Sequence, residues 1–139
     1  MADSILRDKS KVFSKDIVFL CREIKLNHKE AVLANQLLKS GTSIGANLHE
    51  AQYAQSTNDF ISKLEIAQKE CYETEYWLEL LFETDCIEEE KYNWFWVTVT
   101  LNEVKVNLTE EELEERTIYE EDEEEEEVIE DNTIIDDEE

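Results

Sequence analysis

The chain has 139 residues, with 37 Asp and Glu against 13 Lys and Arg, a formal net charge of −24. That length suggests one domain, and that charge argues against an autonomous nucleic-acid binder or a polybasic membrane anchor, which need clustered cations. With no Pro and only Gly41 and Gly45, the chain lacks the turn residues of sandwiches, barrels and disulfide scaffolds, so a mostly helical fold is expected.

The first predicted helix runs from about Lys9 to Lys25. Phe13, Ile17, Leu20 and Ile24 recur at spacings of 4, 3 and 4, which puts them on one helical face. Arg7, Lys11, Lys15 and Arg22 lie off that seam. Asn27 to Glu30 reads as a break with capping-box character, Asn27 being the cap and Glu30 the third position. The second helix is expected from about Glu30 to Tyr53, with Leu33, Leu37, Ser40, Ile44 and Ala51 on its seam and a gap at Asn47. Its middle, Ser40 to Ala46, is built almost wholly of small residues. Two glycines inside a helix cost about 1 kcal/mol each against Ala, so close backbone contact with a neighbouring helix is the reading. A phosphate loop fails on spacing, since neither G-x-x-x-x-G-K-[ST] nor G-x-G-x-x-G is present.

Ser56 and Asp59 form the capping box of the third helix. Phe60, Leu64, Ala67, Cys71, Leu78 and Leu81 keep a heptad rhythm, with Thr74 in the missing step. Ile61, Tyr72, Tyr76, Trp77 and Leu80 add a second apolar stripe. A bundle helix needs one stripe about 100° wide, so part of this helix is expected to meet another subunit. Asp85 and Glu88 read as a cap pair before the fourth helix, expected over about 87–107. Trp94, Val97, Leu101, Val104 and Leu108 step by 3, 4, 3 and 4. Residues 92–108 also alternate as a strand would. No other segment offers that strand a partner, so helix is the reading taken.

Residues 107–139 hold 19 acids and one base, Arg116, and so net −18, whereas the first 80 residues hold 12 acids and 10 bases. The chain therefore divides into a helical body, residues 1–108, and an acidic tail, residues 109–139, whose run from Glu120 to Glu127 is expected to be disordered. The tail reads first as a solubility device. It could also dock a basic protein partner, collect divalent cations weakly, or add Val128-Ile129 or Ile134-Ile135 to a partner's sheet edge. Cys21, Cys71 and Cys86 are odd in number and form no C-x-x-C pair, as free thiols of a reducing compartment do. The N-terminus has no apolar signal core, and Trp94 to Leu101 is too short to span a bilayer. A cytoplasmic protein without a membrane partner is expected.

The segments Gln36 to Ala51, with its run Lys39-Ser40-Gly41-Thr42-Ser43-Ile44-Gly45-Ala46-Asn47-Leu48-His49-Glu50, and Asp59 to Glu70, extended by Glu73 to Leu81, resemble the bacterial four-helix-bundle family of 23S rRNA intervening-sequence proteins. The resemblance covers about residues 5–90. That family is similar to the accessory protein of diversity-generating retroelements. The resemblance implies an antiparallel up-down four-helix bundle, a barrel-like homopentamer and no catalytic site. The chain departs from the family pattern in its Trp- and Val-rich residues 92–108 and in its acidic end, where a Lys-rich terminus is usual.

No constellation for catalysis is apparent. His49 and Glu50 are sequence neighbours, about 100° apart on a helix, and do not chelate. His49 and Tyr53 are read as a surface pair, and no Cys has a His within a helical turn to activate it. No metal site, no cofactor and no enzyme activity are expected. The candidate motif and subunit junction comprises Ser43, Gly45, Asn47, Glu50, Lys69, Glu70, Glu73 and Trp77, with Lys63 a further partner for Asn47 and Glu50. Lys11, Lys15 and Arg22 are the weaker candidates for nucleic-acid contact. The expected function is a self-assembling, non-enzymatic scaffold or protein-interaction module. The alternative is an accessory factor working with an RNA or a reverse transcriptase complex.

Overall fold

The computed structural model describes residues 2–100, and its regular elements are all helices. They are α1 (Ala2–His28), α2 (Ala31–Ala51), α3 (Thr57–Glu83) and α4, helical from 89 to 100, where the described residues end. The fourth helix takes the helical reading over 89–100: the Thr98 and Thr100 hydroxyls donate to the carbonyls of Trp94 and Trp96, four residues back. Leu101, Val104, Leu108 and the acidic tail lie outside the described residues.

Helix α1 starts earlier than its seam suggested. Leu6 and Ser10 are buried, which carries the face of Phe13, Ile17 and Ile24 two turns towards the N-terminus. It also runs through Asn27, so Asn27 does not cap α2. Lys29 instead takes a left-handed φ of 55°, and the Glu30 carboxylate accepts from Leu33 N at 3.2 Å. An anion suits the positive end of the helix dipole.

Ser56 caps α3 as expected, but the reciprocal half of the box is shifted by one residue, to the N–H of Gln55 in place of that of Ser56. Ser56 Oγ accepts from Asp59 N at 3.1 Å, and Asp59 Oδ2 accepts from Gln55 N at 3.2 Å. The expected Asp85–Glu88 cap pair does not form. Asp85 adopts φ 62° and closes α3: Cys86 N donates to Leu81 O at 2.8 Å and Asp85 N to Phe82 O at 3.1 Å. Those two bonds are the Schellman pattern. Glu88 contributes only its carbonyl, accepting from Tyr92 N at 2.9 Å.

Neighbouring helices run in opposite directions. Arg7 near the start of α1 donates to Gln52 just past the end of α2 at 2.6 Å, while Ile17 meets Gly41. Glu50 pairs with Lys63 and Ser40 with Thr74 across α2 and α3. Glu23 pairs with Lys91 and Phe13 with Phe95 across α1 and α4. The backbones of α1 and α3 each approach that of α2 closely but do not approach one another, so the two helices stand at diagonal corners and meet only through core side chains.

The core is the set of seams meeting at the centre: Phe13, Ile17, Ile24, Leu37, Ile44, Leu64, Leu78 and Leu81 are each at most 2% exposed. The α2 seam also takes in Ala34, Gly41 and Leu48, while Leu33 is only half-buried. A Cβ on Gly41 would lie 2.9 Å from Ile17 Cγ2, and one on Gly45 would lie 3.1 Å from Ser14 Oγ. The small-residue run therefore serves close α1–α2 packing, as its spacing suggested. The α4 seam differs from expectation. Ile87, Phe95 and Val99 are buried, whereas Trp94 is 50% and Val97 56% exposed. Phe95 sets the face by meeting Phe13 edge-on at 6.1 Å.

Candidate functional site

Most of the predicted junction residues lie along one edge of the bundle, where α2 meets α3. Asn47 Nδ2 donates to Ser43 O at 2.8 Å, and Ser43 Oγ donates to Lys39 O at 2.6 Å. Both side chains are thus tied to their own helix. Glu50 accepts from Lys63 Nζ at 2.9 Å, an exposed ion pair, and this bond raises the lysine's pKa. On the α3 side, Trp77 Nε1 donates to Glu73 Oε1 at 3.2 Å. Burial, then Glu73, push the Glu70 carboxyl above its ordinary value, and Lys39 partly opposes them. Two members of the set do not join this edge. Gly45 faces Ser10 and Ser14 of α1, and Lys69 is exposed to solvent.

Below this edge lies a contact read in the sequence only as two seam positions. Ser40 and Thr74 are buried, and their hydroxyls are 3.1 Å apart. Thr74 Oγ1 is also 2.7 Å from the Glu70 carbonyl, and Ser40 Oγ 3.3 Å from the Leu37 carbonyl. Each hydroxyl has one proton, so one can donate to a carbonyl while the other donates across the interface.

A second surface lies on the outside of α1. At about 100° per residue, Arg7, Lys11, Lys15, Arg22 and Lys25 fall within an arc of about 80°. Lys11, Lys15 and Arg22, the weaker sequence candidates, are exposed there. Beside this basic arc runs a stripe absent from the sequence reading. Ile5, Val12, Phe19 and Leu26 are 57 to 80% exposed and repeat every seven residues. That period was the signal that could have revealed them. The stripe continues onto α4, where Phe19 and Trp94 share a shallow cavity of about 260 Å³ with Asp16, Glu23 and Lys91. On the basic side, Arg7, Lys11, Ser14, Gly45 and His49 line a groove of about 430 Å³ between α1 and α2. His49 meets Tyr53 edge-on at 5.5 Å, the surface pair expected.

A third surface is the outer face of α3. Tyr72 and Tyr76 are 53% and 58% exposed, and Tyr76 packs edge-on against Trp77 at 5.0 Å. Trp77 and Leu80 are half-buried. The wide second stripe of the sequence is therefore only partly used inside the bundle.

Cys21 and Cys71 are buried and Cys86 is half-buried, all unbridged. Burial pushes the Cys21 thiol up to about 11, partly opposed by Lys25. Among the described residues, no group of three or more His, Cys, Asp or Glu is placed to hold a metal ion. No described helix is long and apolar enough to cross a membrane.

Among the described residues the fold is an all-helical bundle with polar helix edges and exposed apolar side chains on the outer faces of α1, α3 and α4. A family model of the 23S rRNA-intervening sequence protein matches residues 2–110, and the chain belongs to that family. A solved structure from Bacteroides thetaiotaomicron VPI-5482, described as a protein of unknown function from the S23 ribosomal protein family, is 45% identical. It superposes with a TM-score of 0.78 over 80% of this chain and 99% of that one. No curated protein matches the sequence. The acidic residues after 110 lie beyond the family match.

Proposed function

We propose that the protein is a non-enzymatic, self-assembling helical-bundle module that acts as a scaffold for protein interaction, built as a homopentamer. The observation that carries this reading is the pair of unlike apolar faces at diagonal corners. One is the heptad stripe of α1 with Trp94 and Val97, the other is Tyr72 and Tyr76 on α3. Two different patches that meet each other give a head-to-tail contact, and such contacts close into rings when the rotation permits. The seating of one face on the other would also remove exposed aromatic and aliphatic area from water. Five subunits is the number that the family resemblance implies.

Light scattering of the full chain tests the reading: a mass near five chains is expected, and a monomer overturns it. Phe19→Glu and Tyr76→Glu should each dissociate the assembly. Mixed together, the two variants should form one heterodimer, because each retains the face the other lacks. An isologous contact would give no such rescue.

The basic arc of α1 favours a second reading, an accessory factor for RNA or a reverse transcriptase complex. Phosphate contacts need cations clustered in this way. Fluorescence anisotropy with a single-stranded RNA at low salt tests it. Binding that disappears in Lys11→Glu/Lys15→Glu/Arg22→Glu supports it, and binding unchanged in that variant overturns it.

A further inference from the structure

We propose that the acidic C-terminal segment, residues 120–139, docks along the basic arc of α1 in its own chain and masks it from other polyanions. The arc is not neutralised by its own helix. Asp8 pairs with Arg7 at 3.6 Å, but Glu23 turns to Lys91 of α4, and Asp16 lies in the cavity with Phe19 and Trp94. Among the described residues, Lys11, Lys15, Arg22 and Lys25 take part in no ion pair shown by the structure. They form a cationic surface on a chain that carries a net charge of −24.

Charge and reach select the occupant. Eight consecutive acids, Glu120 to Glu127, are followed by further acids up to Glu139. Helix α4 runs antiparallel to α1, with Lys91 at Glu23 and Phe95 at Phe13. Residue 100 therefore lies towards the N-terminal end of α1, where the arc begins at Arg7. From Arg7 to Lys25 the arc is about 27 Å long. The 20 residues between 100 and 120 span about 25 Å as a flexible chain, enough for the acids to fold back onto the arc. The tether sets an effective concentration on the order of millimolar, which favours the chain's own acids over a dilute external polyanion. Complementary charge supplies the attraction, and salt screens it.

The test is carbodiimide crosslinking of the full chain, read by mass spectrometry. The Lys63–Glu50 and Lys91–Glu23 pairs act as internal standards. At low salt, Lys11, Lys15 and Lys25 should join to carboxylates of 120–139 about tenfold more than Lys39 or Lys69 do. The yield should not depend on protein concentration, and about 0.5 M salt should abolish it. Crosslinks spread evenly over all lysines overturn the docking. A second measurement uses heparin affinity. The full chain with Glu120, Glu121 and Glu123 to Glu127 changed to Gln should elute at higher salt than the unmodified chain. That shift must vanish when Lys11→Glu and Lys15→Glu are added; a shift of equal size in their presence reports net charge alone and overturns the masking. In an equal mixture of ordinary and heavy-nitrogen-labelled chains these crosslinks should join peptides of one isotope only; mixed-isotope crosslinks would place the segment on a neighbouring subunit and overturn docking in its own chain.

Discussion

The hydroxyl pair of Ser40 and Thr74 shows how a few polar atoms fix two helices against each other. Both are buried, so a lost partner is costly, whereas replacing both hydroxyls by apolar groups is nearly neutral. Thr74→Val keeps the shape and removes one partner, and should cost about 1 kcal/mol. Adding Ser40→Ala should recover part of that cost. Urea unfolding at one fixed protein concentration measures both, since assembly shifts apparent stability. Glu70 makes the opposite case. Burial and Glu73 raise its pKa in the folded chain, so the folded state binds its proton more readily than the unfolded one. Its contribution to stability is therefore most favourable at low pH and falls as pH rises from the unfolded value through the raised folded value. Glu70→Gln removes that loss. The variant should be more stable than the unmodified chain at pH 7, and the advantage should shrink to nothing below the ordinary carboxylate range. Thermal unfolding across pH checks this, and an advantage that persists in acid would contradict it.

At the scale of the helices, α1–α2 packing is set by two glycines in unequal surroundings. A methyl on Gly41 meets the stiff β-branched Ile17 at 2.9 Å, while one on Gly45 meets the Ser14 hydroxyl at 3.1 Å, which can turn aside. Ala for Gly gains about 1 kcal/mol of helix propensity, and overpacking costs about 1–3 kcal/mol. Gly41→Ala should therefore destabilise by about 1 kcal/mol and Gly45→Ala should be close to neutral, as thermal unfolding would show. This contact was legible in the sequence because glycines inside a helical rhythm need a reason to be there. The seams of α1 and α3 were legible for the same kind of reason, a repeat of 4 and 3 held over several turns. The face of α4 was not. Trp94, Phe95, Trp96 and Val97 offer apolar side chains on all sides, so periodicity alone does not choose among them, and the contact of Phe95 with Phe13 decides. The Glu30 cap was missed because Asn27 is the better cap by type, yet α1 continues through it. Of the candidate site, the Glu50–Lys63 pair could be anticipated from charge. The α1 apolar stripe was passed over because the core seam beside it drew the same heptad period.

For the whole molecule, charge and assembly act against each other. Most of the net −24 lies in residues 107–139, so a ring of identical chains would bring several such segments together. Self-repulsion opposes that approach, while the apolar faces of α1 and α3 favour it without depending on charge. Salt acts on only one side of this balance. The Debye length falls from about 30 Å at 0.01 M to about 10 Å at 0.1 M, which weakens repulsion between neighbouring segments and leaves apolar burial in place. Assembly of the full chain should therefore tighten as salt rises over that range. Sedimentation velocity on a dilution series would show dissociation shifting to lower protein concentration. The opposite trend would mean that ion pairs across the subunit contact outweigh apolar burial, and that the α1 stripe is not what joins the copies. Phe19→Glu separates these cases: in an apolar contact it abolishes assembly at every salt concentration, and in an ionic one it leaves the salt dependence intact.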